Sequence, residues 1–99
     1  MIELGQITGF DWDDGNSRKS TEKHSVIQSE AEQIFFNQPL LLLDDVAHSQ
    51  MEARYHALGK TDDDRKPHVT FTLRAKGTLI RVISARDMNR KERVIYEQL

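Results

Sequence analysis

The clearest pattern in the chain is a strict alternation of apolar and polar residues from His68 to Ala75. Alternation with a period of two is typical of a strand that buries one face. The segment from Leu79 to Ala85 follows a turn-forming glycine and is mostly aliphatic or β-branched, which favours a second strand. Together the two segments predict a β-hairpin whose buried face carries Val69, Phe71 and Leu73.

A two-residue turn at Lys76-Gly77 fixes which residues of this hairpin lie opposite one another. In that register Leu73 pairs with Ile80, Phe71 with Val82, and Thr72 with Arg81. A slip by one residue would set Arg81 on the buried side, where an unpaired charge costs several kcal/mol. The other face is therefore predicted to be polar, basic and suited to an anion. It carries Thr70, Thr72, Arg74, Arg81 and Ile83, and Arg86 emerges at the end of the second strand.

The N-terminal third of the chain predicts short elements. Residues 6–12 fit either a short strand or an extended lead. Residues 14–24 have no apolar face, which favours a solvated, fraying helix over one that contacts phosphate. Ser29 followed by Glu32 has the pattern of a capping box, so a short amphipathic helix is predicted to begin there.

The central and C-terminal segments complete an α+β pattern. Residues 40–43 and 54–61 predict two strands before the hairpin. Asn89 followed by Glu92 predicts the start of a last helix. The apolar residues that this helix is predicted to turn inward are Val94, Ile95 and Leu99. We therefore expect a single small α+β domain over residues 1–99, in which an antiparallel meander follows N-terminal helical segments and precedes a C-terminal helix.

Composition places the chain among folded proteins. Its 99 residues are 30% charged and 37% hydrophobic, which allows one core. There is no cysteine, which excludes disulfides and thiolate metal sites and fits a reducing compartment. The N-terminus lacks the basic and apolar segments of a signal peptide, and no apolar run has the length of a membrane span. We therefore expect a cytoplasmic protein without a membrane contact.

Charge is distributed unevenly along the chain. The formal net charge is -2, but from Arg74 to the C-terminus seven Lys and Arg stand against three acids, a balance of +4. Residues 1–73 therefore carry -6. A basic segment in an acidic protein indicates a local surface for an anionic partner.

Metal and cofactor sites are not indicated by the sequence. None of the four histidines has the spacing of metal ligands. His56 and His68 fall on neighbouring predicted strands and could approach each other, but a metal site there is disfavoured because the nearest acids lie in loops. The absence of a glycine-rich loop, a nucleophile elbow and a cysteine argues against nucleotide binding and acyl transfer. We expect neither a metal nor a cofactor.

What remains is a set of cations and proton-transfer groups. They are Lys23, His24, Arg54, His56, Arg81, Arg86 and Arg90, together with Tyr96 and Glu92. RNA cleavage requires removal of the 2′-hydroxyl proton, protonation of the leaving oxygen and stabilisation of charge on the phosphate, and such groups supply all three. The alternative is a purely structural role, in which each arginine pairs with a carboxylate and each histidine forms its hydrogen bonds within the sheet.

Several short segments resemble the BrnT family of bacterial toxins. They are Phe10-Asp11-Trp12-Asp13, Lys23-His24 with Val26, Arg54 with Ala57-Leu58-Gly59, Ile80-Arg81 through Ile83-Ser84-Ala85-Arg86, and Glu92 with Tyr96. They follow the order of the family over nearly the whole chain, and the Ile-Arg-x-Ile-Ser-Ala-Arg segment is the most specific. The resemblance implies a RelE-like fold and a ribonuclease that cuts RNA, inhibits translation and arrests growth. It also implies neutralisation by a BrnA-type antitoxin, whose DNA-binding domain lets the complex repress its own operon.

Three residues depart from the common family pattern, namely Asn16, Ser20 and Ser25. Asn16 stands where the common family pattern has Lys, so the predicted RNA surface carries one positive charge fewer. Ser25 is unfavourable if its backbone requires a positive φ. These departures put the level of activity in question without touching the Ile-Arg-x-Ile-Ser-Ala-Arg segment.

The resemblance and the charge pattern together assign roles. The predicted catalytic residues are Lys23, His24, Arg54, Arg81 and Arg86. The predicted RNA-binding residues are Lys19, Arg74 and Arg90. The antitoxin is expected to be acidic where it covers Arg81, Arg86 and Arg90. An alternative is a catalytically weak module that binds its antitoxin and acts mainly as a corepressor. A DNA-binding regulator acting alone is disfavoured, because no predicted helix exposes Arg together with Asn or Gln for base reading.

Overall fold

The computed structural model describes residues 4–99, except for the side chains of Asn16 and Ser20. Its elements are β1 (Gly9–Asp11), α1 (Asp14–His24), α2 (Gln28–Gln33), β2 (Leu41–Asp44), β3 (Arg54–Leu58), β4 (Pro67–Arg74), β5 (Leu79–Asp87) and α3 (Arg90–Glu97). Short 3-10 turns lie at Leu4–Gln6, Ile34–Phe36 and Val46–His48. None of the helices in the described part of the chain is long and apolar enough to cross a membrane.

The strands form one mixed sheet in the order β1-β5-β4-β3-β2. Strands β2 to β5 pair antiparallel in chain order, which confirms the predicted α+β meander. β1 adds to the edge of β5 in parallel, with Gly9 opposite Leu79. This pairing was not predicted, because a three-residue strand has too few positions to show a period.

The hairpin of β4 and β5 has the predicted register, with Phe71 opposite Val82 and Thr72 opposite Arg81. Lys76 and Gly77 have φ of 57° and 87°, as a two-residue turn of type I′ requires. Ala75 also has a positive φ, of 53°, so the ladder ends before it. The predicted two-residue turn is therefore wrong in length, since the ladder ends at Arg74 opposite Leu79 and residues 75–78 form a four-residue connection, although the register is the predicted one.

A β-bulge in β5 decides where the second half of this strand points. Phe71 lies opposite Val82, but Thr70 lies opposite Ser84, so Ile83 is an extra residue in β5. Beyond the bulge the alternation is shifted by one residue. Ala85 therefore enters the core, and Arg86 lies on the same face as Thr70.

The core lies between the sheet and the segment that contains α2. Its buried residues are Val26, Ala31, Ile34, Ala57, Val69, Phe71, Ile80, Val82 and Ala85. Gly59 allows the close approach of this segment, since a Cβ there would lie 2.7 Å from the Cβ of Ile34. The predicted cap of α2 at Ser29 is wrong by two residues. Ile27 is the N-cap residue, and its N–H donates to the Glu30 carboxylate at 3.2 Å.

α3 begins as predicted but turns a different face inward. Asn89 caps the helix and exchanges hydrogen bonds with Glu92, both at 2.9 Å. The inward prediction is wrong for all three apolar residues, which are exposed: Val94, Ile95 and Leu99. Tyr96 is buried instead and packs with Leu58 and Met88. Glu92 and Tyr96 are four residues apart and so share one face of the helix, and Glu92 is held on the sheet by Arg86.

Truncation of Phe71 is expected to be one of the most destabilising core substitutions. Its ring is fully buried and lies 5.3 Å from the ring centroid of Phe35 and 5.5 Å from that of Tyr55. Phe71→Ala should lower the free energy of unfolding by about 3 to 5 kcal/mol. Urea denaturation measures this, and Phe36→Ala is the matched control. Phe36 is 78% exposed, so Phe36→Ala should lower the free energy of unfolding by only about 0.5 kcal/mol. Equal losses for the two variants would contradict the assignment of Phe71 to the core.

Candidate active site

The face of the sheet away from the core, here called the polar face, carries three rows of side chains set by strand pairing. The rows are Leu58-His68-Arg86, His56-Thr70-Ser84 and Arg54-Thr72-Arg81. α3 packs on Leu58 at the end of the first row. Neighbouring rows are about 7 Å apart, and neighbouring strands about 4.8 Å. Three arginines and a pair of histidines thereby lie on one face of the sheet.

His56 is the half-exposed histidine of the polar face. Its ring lies 4.8 Å from that of His68 between centroids, which confirms that the two histidines approach each other. Its Nε2 is 3.2 Å from Asp45 Oδ2, and its Nδ1 is 2.9 Å from the Thr70 hydroxyl. One acid from a loop therefore does reach the histidine pair. Asp45 directly follows β2, and its backbone N–H donates to the carbonyl of Arg54, which fixes it beside the sheet.

Asp45 is kept ionised by the histidines around it. Burial raises the pKa of its carboxyl. The hydrogen bond from His48 and the charges of His48 and His56 lower the pKa by more than burial raises it, so the net pKa lies below its ordinary value. Asp45 and its histidines do not make a metal site, however. Among residues 4–99, apart from the two undescribed side chains, no group of three His, Cys, Asp or Glu could hold a metal ion.

His68 stands deeper in the first row and is uncharged at neutral pH. Burial lowers its pKa to about 4, and the charge of Arg86 lowers it as well. Its Nδ1 is buried without a hydrogen-bond partner, and its Nε2 lies 3.9 Å from Glu92. A histidine with this pKa is a poor proton donor at neutral pH, so His68 acts as a neutral neighbour of His56.

Arg86 and Glu92 form a two-point ion pair between β5 and α3. The Arg86 Nη1 and Nη2 donate to the two carboxylate oxygens at 2.8 and 3.0 Å. The hydrogen bonds from Arg86 lower the pKa of Glu92 to about 2 and raise the pKa of Arg86. Glu92 is therefore locked as a carboxylate. Tyr96 donates its hydroxyl to the carbonyl of Pro39, and burial raises its pKa, so neither residue is placed to transfer a proton at neutral pH.

Two of the predicted arginines are bound by acids from the acidic segment, residues 1–73. Arg81 pairs with Asp11 at 3.3 Å and also with Asp13. Arg74 pairs with Glu52 at 2.6 Å. The basic segment and the acidic segment thus neutralise each other in part. The sequence shows the two charge totals but not these contacts, since the first depends on β1 lying beside β5 and the second on β3 lying beside β4.

Arg54 differs from the other arginines of the polar face. Its Nε is buried and without a hydrogen-bond partner, and its guanidinium contacts no carboxylate within the described residues. It lies two residues before His56, on the same face of β3. A buried donor without a partner costs about 1 to 3 kcal/mol, and a guanidinium with no carboxylate beside it keeps its charge for an anion. Arg54 is thus the strongest single indication of an anion site.

The predicted residues of α1 lie beside the end of β5, outside the three rows. Lys19, Lys23 and His24 are exposed. The carbonyl of His24 accepts from Arg65 at 3.1 Å, and Arg65 also holds Asp87 at 2.7 Å. This contact places the end of α1 near the residue that follows Arg86.

The remaining predicted positions at the margin of the site can be placed individually. Arg90, the first residue of α3, is exposed. Ser25 has a φ of 51°, so the expectation that its backbone suits glycine better is confirmed. The suspected effects of Asn16 and Ser20 lie outside the described side chains.

Asp45 and His68 are the members of this site that sequence reasoning did not select. His68 had a usable signal, since the hairpin pattern places it on the polar face and the β3 pattern brings His56 next to it. Asp45 had none, because its place depends on how β2 pairs with β3. The bulge at Ile83 was equally hidden, although it brings Arg86 into the same face as Arg81.

Acidification is expected to destabilise the fold in two steps. His68 binds a proton at about pH 4 in the folded chain but near 6.5 when unfolded, so stability that is complete above pH 6.5 is lost as the pH falls through 4. Glu92 has a pKa of about 2 when folded against 4.5 otherwise, and adds a second loss below pH 4.5. Urea unfolding over this range measures both. His68→Leu should remove the upper step and keep the lower one; an unchanged upper step would contradict the burial of His68.

Comparison with known proteins adds two findings. A family model described as the ribonuclease toxin BrnT of type II toxin-antitoxin systems matches residues 12–92. The fold is similar to the crystal structure of the Brucella abortus ribonuclease toxin BrnT, with a TM-score of 0.64 and 17% identity, over 85% of this chain and 100% of that chain. No curated protein matches the chain. The structural likeness supports the fold, and the family model covers most of the chain.

Proposed function

Because this chain belongs to the BrnT family of ribonuclease toxins of type II toxin-antitoxin systems, we propose that it cleaves RNA on the polar face without a metal ion. The observation that carries this proposal is Arg54, a half-buried guanidinium with no counter-ion in the described structure and two residues from a histidine. A phosphodiester supplies the missing anion. His56, two residues away on the same face of β3, supplies the proton transfer that the ribose 2′-hydroxyl needs.

The reaction uses the 2′-hydroxyl of the RNA as its nucleophile. Arg54 binds the oxygens of the scissile phosphate, and its planar fork matches two of them. Charge that builds on these oxygens during attack is stabilised by a cation that is already in place, so little reorganisation is needed. His56 transfers the proton, a step that typically contributes 10² to 10⁴ in rate.

The other predicted residues have supporting roles in this proposal. Arg86 is oriented by Glu92 and by the carbonyl of Asp87, and it adds positive charge beside the phosphate. Arg81, held by Asp11 and Asp13, shapes the far end of the site. The RNA strand continues over cations at the margin of the polar face and beside it, all of them exposed except Arg74, which is half-buried and paired with Glu52. These are Lys19, Lys23, His24, Arg74 and Arg90.

The antitoxin partner is proposed to be of the BrnA type and to cover the polar face. An acidic segment that pairs with Arg54 would satisfy the same cation that phosphate does, so inhibitor and RNA would compete for it. The complex, rather than the toxin alone, would occupy operator DNA. We therefore propose that the chain acts in the cytoplasm, where RNA and antitoxin would meet.

A second candidate function is favoured by the internal pairing of Arg81 and Arg86. With both neutralised by carboxylates, the chain would be a weak nuclease that serves mainly as an antitoxin-binding corepressor. Expression without the antitoxin separates the two. The nuclease is expected to stop growth and translation, and co-expression of the antitoxin is expected to restore both. Normal growth at full expression would favour the corepressor.

A further inference from the structure

The two ring nitrogens of His56 face groups of different chemistry, a carboxylate at ion-pair distance from Nε2 and a hydroxyl in a hydrogen bond with Nδ1. Nε2 is 3.2 Å from the Asp45 carboxylate, and Nδ1 is 2.9 Å from the Thr70 hydroxyl. An ionised carboxylate only accepts hydrogen bonds, whereas a hydroxyl can also donate one. In the neutral ring the proton therefore belongs on Nε2. Nδ1 then carries the lone pair and accepts from Thr70.

The position of Asp45 is fixed independently of His56. The backbone N–H of Asp45 donates to the Arg54 carbonyl at 2.9 Å, and the backbone carbonyl of Asp45 accepts from the Ser49 hydroxyl. The residue is 8% exposed, so water competes little for its carboxylate. A buried anion on a fixed backbone can select one tautomer of a neighbouring imidazole.

We propose that Asp45 is a positioning residue that holds His56 in the tautomer protonated on Nε2, so that Nδ1 removes the proton of the RNA 2′-hydroxyl. The inference rests on the proposed function and gives the base of that reaction. The ribose hydroxyl takes the place that the Thr70 hydroxyl occupies in the free protein. As its proton passes to Nδ1, the 2′ oxygen bonds to phosphorus. The bond from phosphorus to the 5′ oxygen then breaks, and that oxygen leaves with the electron pair and takes a proton from water.

The charged groups that face His56 are consistent with this role. Asp45 and His48 approach from the segment after β2, and Arg54 lies on the same strand. His68 packs against the ring from β4 and is itself neutral because burial lowers its pKa to about 4, so it adds no charge beside His56. A proton taken up by Nδ1 is balanced by the carboxylate at Nε2.

Nitrogen NMR of the free protein tests the tautomer directly. With the histidine rings labelled and the ring of His56 neutral, Nε2 is expected to show the shift of a protonated nitrogen and Nδ1 that of a lone-pair nitrogen. Asp45→Asn should shift the population toward the other tautomer. His48→Ala, which removes the second histidine on the same carboxylate, should leave it unchanged. A wild-type ring protonated on Nδ1 would overturn the proposal even if the Asp45 variant failed to fold.

Single-turnover RNA cleavage tests the role in catalysis. His56→Ala should slow the chemical step by at least about 100-fold. Asp45→Asn should slow it less, with little change in RNA affinity. Adding Asp45→Asn to His56→Ala should leave the rate within about twofold of the single variant, because a residue that acts only through another has no effect in its absence. A further loss equal to that in the wild-type background would overturn the proposal.

The same data distinguish failure of this inference from failure of the proposed function. If the polar face is not the site of cleavage, variants of both Arg54 and His56 leave the rate unchanged. If the face is the site but His56 is not its base, only the Arg54 variants are slow.

Discussion

Replacing Arg54 by alanine is expected to slow RNA cleavage by about 100- to 1,000-fold, the range measured when one oriented donor to a developing oxyanion is removed. Arg54 is the polar-face arginine whose guanidinium meets no carboxylate in the described structure, so its positive charge is fully available to phosphate. Arg54→Lys should recover only part of the rate, because an ammonium cannot reproduce the two-point contact of a guanidinium.

The same substitution should leave the fold as stable as before. The buried Nε of Arg54 has no hydrogen-bond partner, and removing such a donor relieves a cost of about 1 to 3 kcal/mol that offsets the lost packing of the side-chain stem. A residue that costs stability and supports activity is typical of functional sites.

Arg74→Ala is the matched control for Arg54. Arg74 is paired with Glu52 at 2.6 Å, on the same face of the sheet. Its loss should change the rate by only about fivefold or less, since its charge is already neutralised and partly screened. Equal losses for the two variants would mean that cleavage depends on the total charge of the surface and not on Arg54.

A single 2′-deoxy substitution at the cleaved position should abolish cleavage of an otherwise identical RNA. In the proposed mechanism the 2′ oxygen forms the new bond to phosphorus, so removing it leaves no nucleophile. The loss should exceed that caused by any single protein variant, because every other group only assists this step.

The control for this substrate is a 2′-deoxy substitution one nucleotide away. That RNA should be cut at nearly the normal rate and should bind equally well. Efficient cutting at the deoxy position itself would show that water is the nucleophile, and it would remove the assigned role of His56.

The fold could be predicted from sequence where local chemistry decides it. The alternation around Phe71 and the penalty for burying Arg81 determined the hairpin register, and that register is confirmed. The Asn89 cap of α3 was equally local. The inward face of α3 was not, because the ion pair between Glu92 and Arg86 fixes how the helix is rotated on the sheet.

The site was harder to predict because it depends on contacts between distant segments. Arg81 was assigned to phosphate from its face of the strand, yet Asp11 and Asp13 reach it from β1. Arg54 was predicted as one of five catalytic residues, and the absence of a counter-ion among the described residues, which sets it apart from Arg81 and Arg86, can be seen only in three dimensions. No property of residue 45 in the sequence indicates that it lies 3.2 Å from the ring of His56.

The ends of the RNA fragments made in excess chelator test the central claim most directly. Attack by the 2′-hydroxyl without a metal should give full cleavage and leave a 2′,3′-cyclic phosphate, or the 3′-phosphate formed when it opens, on the upstream fragment. Mass spectrometry of the fragments distinguishes these ends from a 3′-hydroxyl. Cleavage that vanishes with chelator and returns with Mg²⁺ or Mn²⁺, or fragments that end in a 3′-hydroxyl, would contradict metal-independent cleavage on the polar face.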